Sequence, residues 1–147
     1  MLIMLMLIIG VIEGCWAVYT YHYLANAAHE AARYAIVRGG DWLIPCDSVG
    51  GWGGSMCAAS PQNIASFAAN RGFPAISIDP SNDVCVQYFA ADSMPPGGSL
   101  TCDPNTGPNQ VGDIVQVTIS HPFTMILPGL PNNTWNLSST SRMVIAQ

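Results

Sequence analysis

The apolar positions of this chain are concentrated at its start. Residues 1–12 are apolar throughout, Glu13 interrupts them, and Cys15, Trp16, Ala17, Val18 and Tyr19 resume the run. From Leu24 alanine dominates, at Ala25, Ala27, Ala28, Ala31, Ala32 and Ala35, and the first proline is Pro45. Leu, Met and Ala are strong helix formers. The pattern predicts one continuous helix over residues 1–38, about 57 Å long at 1.5 Å per residue. About 20 apolar residues span a bilayer core, so the first half is long enough for lipid and the second half projects beyond it. A helix apolar on every side does not stand in water.

After residue 38 the pattern shortens. Arg38, Gly39 and Gly40 end the helix, with glycine suited to a left-handed cap. A loop over 39–60 holds Gly50, Gly51, Trp52, Gly53 and Gly54, a composition that excludes regular structure. Ser60 and Pro61 read as the cap and first position of a second helix, with Ile64, Phe67 and Ala68 on one face and Gly72 as its stop. Four strands follow from period-two alternation. Ile76 and Ile78 mark the first, and Val84, Val86 and Tyr88 the second. Val115, Val117 and Ile119 mark the third, and Leu137, Met143 and Ile145 the last. Turns are expected at residues 80–83 and 128–133. The expected fold is α+β and pilin-like in outline. A hydrophobic helix over 1–38 is followed, over 39–147, by a small and mostly antiparallel four-stranded sheet with one short helix.

The alanines have a spacing of their own. Ala27, Ala31 and Ala35 repeat every four residues, as do Ala28 and Ala32. Such small-residue rows let helix backbones approach closely, and they make these five positions a candidate contact between copies of the helix. Glu13 is the second candidate. An ionised carboxylate in an apolar helix is costly unless paired, and Arg33 lies about 30 Å further along the same helix. Either another chain supplies a partner, or Glu13 is protonated and bonds a carbonyl or a hydroxyl such as Thr20 of another copy.

Composition narrows the function classes. Charged residues make up 9% of the chain and the net charge is −5, so little charge opposes self-association. The four cations are Arg33, Arg38, Arg71 and Arg142, scattered rather than clustered, which excludes nucleic acid as an expected partner. The absence of lysine, and of arginine before Arg33, removes the basic start of a secretory signal peptide. The apolar run is therefore expected to be retained. Cys46, Cys57, Cys85 and Cys102 follow the helix, and four cysteines allow three pairings. Proximity favours Cys46–Cys57 and Cys85–Cys102, each contributing roughly 3 kcal/mol in the chain-entropy model. Cys15 is left over, expected as a small buried residue of the helix.

Catalytic patterns are poor, and the expectation is a protein that is not an enzyme and uses no cofactor or metal. His29 and Glu30 open a zinc-protease-like helix motif, but Arg33 stands where the second histidine belongs. No cysteine pair has the short zinc spacing. Asp79, Asp83 and Asp103 lie in turns without a recognisable calcium loop. His22 and His29, seven apart on the helix, read as packing or interfacial residues, and His121 as part of a turn before Pro122.

Two stretches carry a resemblance. Gly10-Val11-Ile12-Glu13, followed by Ala25-Asn26-Ala27-Ala28-His29-Glu30-Ala31-Ala32-Arg33-Tyr34-Ala35, resembles the TadE-like family of pilus proteins. Residues 111–147, with His121-Pro122-Phe123 and Leu127-Pro128-Gly129-Leu130, are similar to that family's closing strands and aromatic-proline turn. Two positions depart from the pattern. No acidic residue precedes Glu13, and Ala31 stands where the family has glycine, so leader processing is not carried over. The resemblance implies a minor pilus or assembly component, with an acidic residue meeting a neighbour's N-terminal amine. Low charge and the alanine rows favour instead a main subunit, a homopolymer of copies of itself. That subunit would be held in the inner membrane before assembly and lie in an extracellular filament at the cell surface afterwards. The alternatives are a membrane-anchored minor pilus or assembly component, or a surface carbohydrate-binding module using Trp42 and Trp52.

Overall fold

A computed structural model describes residues 1–39, 59–70, 76–93, 102, 107, 109–125 and 134–146. Two helices, α1 (Leu2–Val37) and α2 (Pro61–Asn70), precede three strands, β1 (Val84–Phe89), β2 (Ile114–Thr124) and β3 (Thr134–Val144). The strands form one antiparallel sheet in the order β1-β2-β3. α1 packs on β2 and β3, and α2 packs on α1 and β1. The architecture is thus a long apolar helix with a small antiparallel sheet and a short helix.

The sheet has three strands, not the expected four. Ile76 and Ile78 are buried and Ser77 and Asp79 exposed, as alternation predicted, but residues 76–79 join no ladder. Alternation reports which side chains are covered and does not specify a partner for the backbone. The third expected strand is longer than its pattern. β2 continues through His121 and Pro122 to Thr124, where a turn was expected. Ser120 donates its backbone N–H to Asp83 O on the β1 side at 2.8 Å. Pro122, two residues on, faces the same way, beyond the start of β1 at Val84. The N–H that proline lacks therefore had no strand partner to lose.

The core lies between α1 and the inner sheet face. Val84, Val86 and Tyr88 of β1 and Val115, Val117 and Ile119 of β2 are buried with Leu24, Ala28, Ala31, Ala32 and Ala35 of α1. The register places Ser139 and Ser141 of β3 opposite Ile119 and Val117, on that same face. Serine on the strand and alanine on the helix leave room for the two to approach. The outer face is polar. Thr118 Oγ1 and Thr140 Oγ1 are 2.9 Å apart, and Arg142 Nε donates to Gln116 Oε1 at 3.0 Å. β3 ends in a tight turn partner: Gly112, at φ 95°, donates its N–H to Ile145 O at 3.0 Å. Asp113 N–H reaches Gln110 O at 3.1 Å, so Gly112 fills the turn position that requires positive φ.

The end of α1 is fixed by side chains rather than by a left-handed glycine. Arg38 closes it at φ −126° and ψ 56°, and the only positive φ among the described residues is at Gly112. The Arg38 guanidinium lies 4.3 Å from the centre of the Tyr34 ring, which stacks on Phe67 of α2 at 4.3 Å. α2 starts as expected, with Ser60 Oγ accepting the Asn63 N–H at 3.2 Å. Cys85 and Cys102 are joined by a disulfide. Cys46, Cys57, Trp42, Trp52, Gly72, Asp103 and the 128–133 turn lie outside the described residues.

Candidate functional site

α1 is divided into two halves with different surroundings. No described side chain before Thr20 is buried, and the exposed ones include Ile3, Met4, Leu5, Leu7, Ile8, Val11, Ile12 and Val18. At 1.5 Å per residue, residues 1–19 give about 28 Å of bare apolar helix, close to a bilayer core of about 30 Å. From Thr20 the helix becomes one-sided. Thr20, Leu24, Ala27, Ala28, Ala31, Ala32, Tyr34 and Ala35 are buried, while His22, Asn26, His29 and Arg33 form an exposed polar row. The helix as a whole is long and apolar enough to cross a membrane.

Aromatic rings mark the boundary. Trp16 and Tyr19 stack with centroids 5.6 Å apart, and Tyr21 meets His22 edge-on at 6.1 Å. At 100° per residue, Tyr21 points well away from the Trp16–Tyr19 side, so rings surround the helix instead of lining one face. Trp and Tyr collect where a membrane span meets water. The sequence contained this signal, but hydropathy read alone passes over it because the same residues count as a continuation of the apolar run.

The expected contact residues separate in space. Glu13 stands on the bare half, beside Val11, Ile12, Cys15, Trp16 and Tyr19, which line a shallow concavity on the helix. Cys15 is exposed, not buried as expected, and among the described residues the buried core begins only at Thr20. The five alanines lie elsewhere. Ala27, Ala28, Ala31, Ala32 and Ala35 are covered by the chain's own sheet and second helix. Side chains enclosed within one copy offer no surface to another, so the small-residue rows serve contacts inside the head.

A junction at Ala59 binds the head together. Its N–H donates to Arg38 O at 2.8 Å, at the end of α1. Its carbonyl accepts the Tyr88 hydroxyl and Asn109 Nδ2, the latter at 3.2 Å. Burial pushes the Tyr88 hydroxyl above the usual tyrosine range, because the phenolate would be desolvated there. Gly107 donates its N–H to Tyr88 O at 3.0 Å, and a Cβ at Gly107 would meet that same oxygen at 3.0 Å.

The acidic turn is closed on itself. Asp79 Oδ1 accepts the Ser81 N–H at 2.9 Å, Asp79 Oδ2 accepts Asn82 Nδ2 at 2.8 Å, and Asp83 Oδ2 accepts the Asp79 N–H at 3.0 Å. The Ser81 backbone N–H, followed by Asn82, holds the Asp79 carboxyl below the usual range. These carboxylates shape the turn before β1. Among the described residues no group of three His, Cys, Asp or Glu side chains is placed to hold a metal. His121, on β2 and not in a turn, has Nδ1 3.8 Å from Asp83 Oδ2.

The fold defines a class by architecture: a long helix with a bare apolar half, and an α+β head built on the other half. The particular resemblance that is matched falls on α1. The family model for TadE-like protein matches residues 1–33, the bare half and most of the buried stripe. Neither the curated proteins nor the solved structures include a match to the chain.

Proposed function

We propose that this protein is a pilin-like component of a Tad-type surface pilus. The bare half of α1 holds it in the inner membrane before assembly and enters the filament with other copies afterwards. The observation that carries the reading is the division of α1 at Thr20: bare and apolar before it, built into a head after it. A surface of this kind needs a dry environment, and lipid and a bundle of like helices both supply one. The match of residues 1–33 to the TadE-like model supports the association with a pilus. The alanine rows no longer argue for a main subunit, since they are enclosed in the head. The filament contact therefore falls on residues 1–19, with Glu13 as its one carboxylate. The protein acts by assembly, without catalysis or cofactor.

Fractionation of cells carrying a tagged chain tests this. The chain is expected both in sheared filaments and in the inner membrane. Recovery from membranes alone, with filaments present, would remove it from the polymer and leave an anchored assembly component. Glu13→Gln is expected to keep membrane insertion and reduce entry into filaments. Unchanged entry and spacing would show that the charge sets no register.

A further inference from the structure

The sheet ends in β1 on one side and β3 on the other, and the two edges differ. Hydrogen bonds fix which backbone groups of β3 point where. Ile145 donates its N–H to Asp113 O, and its carbonyl accepts from Gly112. Odd-numbered residues of this stretch therefore turn toward β2, and in an antiparallel ladder the alternate residues turn away. The Ser120 N–H agrees, since it turns to Asp83 on the β1 side and away from its register partner Ser138. Thr134, Asn136, Ser138, Thr140, Arg142 and Val144 thus point their N–H and C=O groups off the sheet. Each of these residues is exposed, and among the described residues none of their backbone groups has a backbone partner. The edge at β1 is closed. Val84, Val86 and Tyr88 are buried, α2 packs on the strand, and Tyr88 O accepts the Gly107 N–H at 3.0 Å.

β3 also lacks the devices that blunt an edge strand. It runs for 11 residues and contains no proline, glycine or lysine. Its register with β2 is unbroken from Thr134 to Val144, so no bulge twists it away. Arg142 is its single charge. Arg142 Nε donates to Gln116 Oε1 at 3.0 Å, which lays the guanidinium on the outer face, and no carboxylate pairs with it among the described residues. A second copy does not fit this edge. Its β1 edge is closed. Its β3 could join only about a two-fold axis through the sheet, which reverses every direction within the sheet plane. α1 packs on β2 and β3, with its end held by Ala59 to Tyr88, so α1 would be reversed as well. The two bare half-helices would then point in opposite directions and could not enter one bilayer.

We propose that the free edge of β3 receives an extended strand from a different protein chain, one that sets a carboxylate across from Arg142. Main-chain hydrogen bonds supply affinity in such strand addition, and the flanking side chains select the partner. Opposite charges directly across two strands attract, and an unpaired guanidinium suits a carboxylate. The exclusion of a second copy rests on the anchoring proposed above; the open edge does not.

The test uses the detergent-solubilised full chain and two short, end-blocked peptides of alternating threonine and valine. One carries a central glutamate, the other a lysine in its place. Backbone amide exchange is followed residue by residue by nuclear magnetic resonance. The glutamate peptide, at about ten times its dissociation constant, is expected to slow exchange about tenfold at Asn136, Ser138, Thr140 and Arg142. Leu137, Ser139 and Ser141, whose amides turn to β2, are expected to be unchanged. The lysine peptide is expected to bind about threefold more weakly, or worse. Ser138→Pro removes an outward N–H without touching the β2 ladder, and is expected to keep the circular dichroism spectrum and lose the protection. Arg142→Glu is expected to reverse the order of the two peptides, and it decides the matter should Ser138→Pro fail to fold. Outward amides that exchange equally fast with and without either peptide would overturn the proposal. Outward amides already protected in the dilute chain would place the cover within one copy and overturn it too. Protection that grows with the concentration of the chain itself would assign the edge to a second copy instead. Equal binding of the two peptides, by the parent and by Arg142→Glu alike, would refute the carboxylate. None of these results bears on the anchor, which the fractionation tests separately.

Discussion

Replacing Ala31 by leucine separates the two roles that its spacing suggests. Ala31 is 0% exposed in a single copy and lies in the α1 stripe that faces the sheet. Leucine adds three heavy atoms to a contact already lined by alanine, and the facing positions on β3 include Ser139 and Ser141. Overpacking of this kind costs about 1–3 kcal/mol. A domain of this size has roughly 5–15 kcal/mol in all, so one substitution removes a sizeable share. Ala28→Leu is expected to behave alike, and the two together not to add, being neighbours on one face. The assay is urea unfolding of the detergent-solubilised full chain, followed by near-ultraviolet circular dichroism. With a slope of about 1–3 kcal/mol per molar urea, a loss of about 2 kcal/mol lowers the midpoint by roughly 1 M. Ile8→Ala, on the bare half, is the control and should leave the midpoint unchanged. If Ala31→Leu abolished filaments while the midpoint stayed in place, Ala31 would be a contact between subunits, and its burial within the head would be the wrong explanation of the alanine rows.

Three further outcomes follow from the head. Cys85→Ser, which opens the disulfide across a separation of 17 residues, is expected to cost about 3 kcal/mol; a stability equal to that of the parent under oxidising conditions would contradict it. Gly112→Ala forces a side chain onto φ 95° and should lower stability by roughly 1–2 kcal/mol, measured by the same urea midpoint. Tyr88 has an ordinary value of 10.0 that burial raises. The stability it contributes as a neutral hydroxyl is complete below pH 10 and is lost as pH rises through the higher folded value. Tyr88→Phe should therefore flatten the alkaline limb of the stability profile above pH 10, while losing about 1 kcal/mol at neutral pH with its hydrogen bond to Ala59. An unchanged alkaline limb would place the loss on another group.

What the sequence determined by itself was local or compositional. Thirty-six helical residues in α1 follow from an apolar and alanine-rich run with no proline. The start of α2 follows from Ser60 and Pro61, and β1 from the alternation of Val84, Val86 and Tyr88. The TadE-like likeness was legible in residues 1–33 because it resides in the order of elements along one helix. What only the tertiary structure decided was which apolar surface is covered, and by what. Alanine rows at four-residue spacing suit a helix in a bundle and a helix under a sheet equally well, since both require close backbone approach. The choice was made by β3, whose register puts Ser139 and Ser141 on the inner face, and by the Ala59 junction that fixes α1 over the sheet. The same packing withheld a ladder from Ile76 and Ile78 and let β2 run through Pro122. Backbone partners are set by chain segments far apart in sequence, and side-chain periodicity carries no record of them.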